Sequence, residues 1–205
     1  MAHAGPEDDQ ICCAAVAFGR RLGTSTHPMR MTRQTLTAAL FVAVAACASA
    51  ATPTKRDVLQ AISVIEKTVS GPEAFEAAKT IVIYAQLSDD VMVDIGPEQL
   101  PWLSETWGLD RERESECHSI LLAAFVAGNI KSQIKNEKAE DDTYSGWTFA
   151  IETYRRMRTR DEFRSESIEA LAKMQADGTL LQHAKDVHLK AEEEEQSDNS
   201  PKQPA

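Results

Sequence analysis

The sequence predicts an all-α, single-domain bundle of about six or seven helices, and three observations support that prediction. Residues 120–130 form an apolar run inside the charged segment 111–138, whose acidic start and lysine-rich end suit a helix dipole. Apolar residues recur at helical spacing in most segments from Ala51 onward. The 205-residue chain also has ordinary globular composition, with 42% hydrophobic and 26% charged residues.

The segment 111–138 is predicted to form a buried central helix. Its middle is apolar on all sides, so neighbouring elements must cover more than one face. The run is shorter than the roughly 20 apolar residues of a membrane span, which favours a core helix. Gly128 costs about 1 kcal/mol relative to alanine in a helix, so it predicts a close crossing with another backbone.

Helices are predicted on both sides of this segment. Thr54 can cap a helix that runs to about Val69, and Pro72 opens a second one that ends near Leu87. Residues 91–95 are expected to form a short extended piece, with a hairpin over residues 80–95 as the alternative. Three further helices are predicted over residues 144–158, 163–176 and 180–190, giving a helical domain over 51–190.

The two ends of the chain differ from this domain. Residues 1–30 show no periodic pattern and are interpreted as a non-native or disordered upstream extension, with a long native n-region of the signal peptide as the alternative. Residues 31–50 have a basic start, an apolar stretch and an Ala48-Ser49-Ala50 cleavage pattern, which together predict a secretory signal peptide. The acidic residues 191–205 are expected to be a disordered tail.

The signal peptide predicts an extracytoplasmic location, either periplasmic or secreted. Val44-Ala45-Ala46-Cys47 also resembles a bacterial lipobox, in which Cys47 would be acylated and would anchor the protein. A membrane is therefore an expected partner only if Cys47 carries a lipid. Cleavage after Ala50 leaves Cys117 as the only cysteine, which excludes an intramolecular disulfide.

Composition and motifs narrow the function classes. A net charge of −10 argues against a nucleic-acid-binding protein, which needs a basic face. We expect no cofactor and no metal: the sequence has no H-E-x-x-H, C-x-x-C or P-loop motif, and His183 and His188 are spaced unfavourably for a shared ion. No catalytic residue is assigned. The alternative function is that of a small hydrolase, which would use carboxylates near Asp89 to Asp94 to cleave an envelope polymer.

Several polar and aromatic residues are candidate binding residues. Asn129 and Gln133 lie one helical turn apart and, with Tyr144, are predicted to form a polar pocket; internal hydrogen bonds are the alternative. Trp102 and Trp107 are interpreted as a hydrophobic cap on the long helix, or else as an exposed aromatic anchor for a partner.

Arginines cluster in one part of this acidic chain. Arg155 and Arg158 belong to a group that could bind an anion, since guanidinium groups bind carboxylate and phosphate in a bidentate manner. The alternative is ion pairing, either within the chain with acidic residues of 110–116 or 161–166, or with an acidic surface of a partner.

Residues 147–154 resemble the first helix of a tetratricopeptide repeat in their spacing of aromatic and small side chains. The resemblance covers these residues alone and has no 34-residue recurrence, so it implies helix-pair packing and no peptide-binding groove. The expected function is therefore that of an exported accessory protein acting through protein contact, with its partner and oligomeric state left open.

Overall fold

The computed structural model describes residues 52–198, and this part of the chain is all-helical, as predicted. No strand occurs within it, and no described helix is both long and apolar enough to cross a bilayer. Between residues 52 and 198, six α-helices and one 3-10 helix follow in order: α1 (Lys55–Ile65), α2 (Gly71–Leu87), the 3-10 helix (Pro101–Ser104), α3 (Arg111–Asn136), α4 (Thr143–Asp161), α5 (Glu166–Asp177) and α6 (Leu180–Asp198).

Short polar residues set where four of these helices begin. Thr54 and Asp57 form a reciprocal capping box at α1, so the predicted cap is confirmed. The side chains of Asp110, Asp142 and Ser165 accept hydrogen bonds from backbone N–H groups in the first turns of α3, α4 and α5. The helix that Thr54 starts ends at Ile65, earlier than the predicted end near Val69.

The closest helix packing is between α3 and α4. A Cβ atom built on Gly128 would lie 2.3 Å from the backbone oxygen of Ser145, and one on Gly146 would lie 2.7 Å from the ring of Phe125. Only glycine fits at both positions, so the close crossing predicted from Gly128 is confirmed. Helix α3 also contacts α1 and α2. Its side chains from Ala123 to Ala127 are fully buried.

Residues 88–96 connect α2 to the next turn without regular secondary structure, and the predicted hairpin is absent from this described segment. Val91 is buried, Met92 is exposed, Val93 is half-buried and Asp94 is exposed. This alternation is that of an extended chain lying on a surface.

The last helix is longer than expected. Helix α6 continues to Asp198, so it includes residues 191–198 of the segment predicted as a tail. Alanine, glutamate and glutamine are good helix formers, and no glycine or proline interrupts them before Pro201. The predictions for residues 1–51 and 199–205, including the signal peptide and Cys47, fall outside the described residues.

Candidate functional site

The predicted polar pair on α3 is almost completely buried. Asn129 is 0% and Gln133 is 4% exposed, and the Nε2 atom of Gln133 donates to the Oδ1 atom of Asn129 over 2.7 Å. Asn129 Oδ1 also accepts the backbone N–H of Asp142 at 2.9 Å, and its Nδ2 donates to Asp141 Oδ1 at 2.8 Å. The internal hydrogen bonds held as the alternative are therefore what these two side chains make.

This network also holds the irregular segment that follows α2. The Gln133 amide pairs with the backbone of Met92: its Oε1 accepts the N–H at 2.9 Å and its Nε2 donates to the carbonyl at 2.5 Å. Asp141 Oδ1 accepts the backbone N–H of Asp94 at 2.9 Å. The side chains of Gln133 and Asp141 thus hold the backbone at Met92 and at Asp94, two residues further on, as a neighbouring β-strand would.

The last residue of α2 and the segment so held present apolar side chains to solvent. Leu87 is 55% exposed, Met92 is 55% exposed and Ile95 is 51% exposed. We call residues 87–95 the contact segment. A single exposed apolar side chain is ordinary, whereas three in one short fixed segment are typical of a binding surface.

Two depressions flank the network, and the predicted pocket residues do not share one. Gln133 lines a depression of about 440 Å³, whose other lining residues are Lys55, Tyr84, Asp89, Asp90, Ile134, Glu137, Lys138 and Ala139. Tyr144 lines a second one of about 260 Å³, on the side of α3 where Gly128 and Ser132 lie. Neither depression brings Asn129, Gln133 and Tyr144 together. The buried Tyr84 hydroxyl has no hydrogen-bond partner among the described residues.

The two predicted tryptophans have different environments. Trp102 is 0% exposed and packs edge-to-face with Phe125, with ring centroids 6.3 Å apart, so it is a core residue and the exposed-anchor interpretation is wrong for it. Trp107 is partly buried between Phe163 and His118, with ring centroids 4.7 and 4.1 Å away. Its indole N–H donates to Glu105 at 2.9 Å. Trp107 therefore covers the start of α3, as the cap interpretation expected.

Glu105 connects this loop to α5. Burial alone would raise the pKa of Glu105, but hydrogen bonds from Ser165, Ser167 and Trp107 together hold it below its ordinary value. Ser167 donates both its N–H, at 2.7 Å, and its hydroxyl, at 2.5 Å. Burial lowers the pKa of His118, and Glu114 and Glu105 oppose that shift only in part. These groups stabilise the loop between the 3-10 helix and α3.

Two arginines of the predicted cluster, Arg156 and Arg158, make contacts within the chain. Arg158 pairs with Glu169 on α5, a partner that lies outside the predicted acidic segments. The Arg156 guanidinium donates to the carbonyls of Ile65 at 2.8 Å and Glu66 at 2.6 Å, which caps the end of α1. Arg155 lies exposed on α4.

One group of potential metal ligands was not found by sequence reasoning. Ligand atoms of Asp94, Asp141 and His188 all lie within 4.8 Å of one another. They come from the contact segment, the loop before α4 and helix α6. Motif spacing carries no signal for such a group, because its members are distant in sequence.

Comparisons with protein-family models, with curated proteins and with solved structures find no match.

Proposed function

We propose that this chain is an exported helical accessory protein that acts through protein contact, with residues 87–95 as its contact surface. Export rests on the three-part signal pattern of residues 31–50. The single observation that supports the contact surface is that Leu87, Met92 and Ile95 are each more than half exposed on one segment.

Fixed geometry makes this segment a better candidate than other exposed apolar side chains. The Met92 backbone is held at both its N–H and its carbonyl by the buried Gln133 amide. A binding surface that is already ordered loses less conformational entropy when a partner docks. Methionine is also enriched in protein interfaces. Leu59 and Leu181 are exposed on helices outside this segment and serve as comparison positions.

Site-specific photocrosslinking in the native host tests the contact surface. A photoreactive residue in place of Met92 or Ile95 should give an adduct of the same mass from both positions. The same residue in place of Leu59 or Leu181 is the matched control and should not give that adduct. Absence of an adduct from 92 and 95, or an equal yield from the control positions, would contradict the proposal.

The mass of the exported protein tests the proposal that the chain is exported and processed. Protein recovered from extracytoplasmic fractions should start at Ala51, or at an acylated Cys47 if the lipobox is used. A recovered chain that retains Cys12 and Cys13 would contradict processing at either site.

A second candidate function is hydrolysis of an envelope polymer by carboxylates. The observation that favours it is that Asp89 and Asp90 line the depression of about 440 Å³ beside the buried Tyr84. Asp89→Asn and Asp90→Asn should then abolish turnover of an envelope polysaccharide or peptide, while Asp186→Asn on α6 should not. Equal turnover in all three variants, or no turnover by the native chain, would remove this candidate.

A further inference from the structure

We propose that Asp94, Asp141 and His188 bind a divalent transition-metal ion, with Zn²⁺ as its representative. The group offers one imidazole nitrogen and two carboxylate oxygens, all within 4.8 Å of one another. Imidazole favours zinc, iron and nickel, and carboxylate tolerates the same ions, so this mixed donor set suits a first-row divalent ion. The proposal does not depend on the contact function.

The separation of the donor atoms is close to what a shared ion requires. Zinc binds nitrogen and oxygen at about 2.0–2.2 Å in a tetrahedral arrangement, so two atoms on one ion lie about 3.3–3.6 Å apart. Asp94 is exposed, and Asp141 and His188 are half-buried. Because Asp94 is exposed, its side chain can rotate toward the other two ligands, and an ion can enter from solvent.

Asp141 is already oriented by its surroundings. Its Oδ1 atom accepts hydrogen bonds from the Asn129 amide and the Asp94 N–H, at 2.8 and 2.9 Å. Its Oδ2 atom accepts one from the Thr143 hydroxyl at 2.6 Å. A carboxylate offers about two acceptor positions on each oxygen, so one position on Oδ2 remains for an ion. Partners of this kind fix the orientation of ligating side chains in metal sites.

A bound ion would join three parts of the fold. Asp94 lies in the contact segment, Asp141 in the loop before α4, and His188 on α6. An ion shared among them would stabilise the packing of α6 against the contact segment and against the loop before α4. Three protein ligands also leave at least one coordination position for water or for a group from a partner.

Thermal unfolding of the full chain, with Zn²⁺ or with EDTA, tests the site. Cysteines and histidines before Ala51 can also bind Zn²⁺, so stability of the folded domain is the informative readout. Zn²⁺ at 100 times its Kd should raise the ratio of folded to unfolded protein about 100-fold. His188→Gln and Asp94→Asn should each make this rise in the ratio of folded to unfolded protein at least about tenfold smaller.

Asp90→Asn and His183→Gln are the matched controls and should keep the full effect of Zn²⁺. The proposal is overturned if Zn²⁺ does not stabilise the native chain. It is also overturned if Zn²⁺ stabilises His188→Gln and Asp94→Asn as much as it stabilises the native chain. A measurement without variants covers the case in which a variant does not fold. Substoichiometric Mn²⁺ should broaden the amide NMR signals near residues 94, 141 and 188 first; broadening centred elsewhere would equally overturn the site.

Discussion

Two neighbouring stretches of α3 stabilise the fold by different means. At Gly128 the helix lies so close to α4 that the backbone oxygen of Ser145 occupies the space of a Cβ atom. From the next residue onward, the buried side chains of Asn129 and Gln133 make hydrogen bonds to the contact segment and to the loop before α4. The first stretch holds helices together by steric fit, and the second holds irregular backbone by polar contacts. One helix can therefore both build the core and position a surface.

The largest expected effect is at the steric contact. Gly128→Ala places a methyl group 2.3 Å from backbone, which cannot move as a side chain can, and should destabilise the protein by about 3 kcal/mol or more. Gly178→Ala is the control: Gly178 has a φ of 76° and open space around it, so that change should cost about 1 kcal/mol. Denaturant unfolding measures both, and equal losses would contradict the steric account.

The next effect is at the polar stretch. Asn129→Ala removes partners from the Gln133 amide, the Asp142 N–H and the Asp141 carboxylate, and should cost about 2–3 kcal/mol. Asn136→Ala removes only one exposed hydrogen bond to Ser132 and should cost at most about 0.5 kcal/mol. If the free energies of unfolding of the two variants agree, the buried network does not stabilise the fold as described.

Asp142 gives the network a dependence on pH. Burial alone would raise the pKa of Asp142, but hydrogen bonds from Ser132 and Ser145 hold it below the ordinary value of 3.8. A lowered folded-state pKa adds stability that is present above pH 3.8 and is lost as pH falls through the lower folded value. Unfolding measured between about pH 5 and pH 2 should therefore depend less on pH in Asp142→Asn.

Asp90→Asn is the control for this comparison, since the Asp90 carboxylate accepts no hydrogen bond among the described residues. It should follow the pH dependence of the native chain. A native slope in Asp142→Asn would mean that other carboxylates cause the acid sensitivity.

The smallest expected effect is a gain in stability at the end of α3. Glu137 has a φ of 53°, a left-handed conformation that glycine adopts without strain. Glu137→Gly should therefore stabilise the protein by about 0.5–1 kcal/mol. Lys135→Gly, within the helix, should destabilise it by about 1 kcal/mol. A loss of stability in both variants would show that the Glu137 side chain stabilises the protein by more than the left-handed backbone conformation destabilises it.

The two stretches of α3 also differ in how far sequence could predict them. Gly128 in an apolar run signals a close helix crossing, because a glycine there has a physical cost that packing must offset. Asn129 and Gln133 could be recognised as a polar pair, but their partners Met92 and Asp141 depend on tertiary contacts. The group of Asp94, Asp141 and His188 has no local pattern for the same reason.

The central claim is that hydrogen bonds from Gln133 hold the contact segment in place, independently of the apolar packing around residues 120–127. Native-state hydrogen exchange in Gln133→Met, which removes the amide and keeps a side chain of similar length, tests it most directly. The account predicts that the Met92 amide exchanges faster while the amides of residues 120–127 keep their protection. Unchanged exchange at Met92, or faster exchange throughout α3, would contradict it.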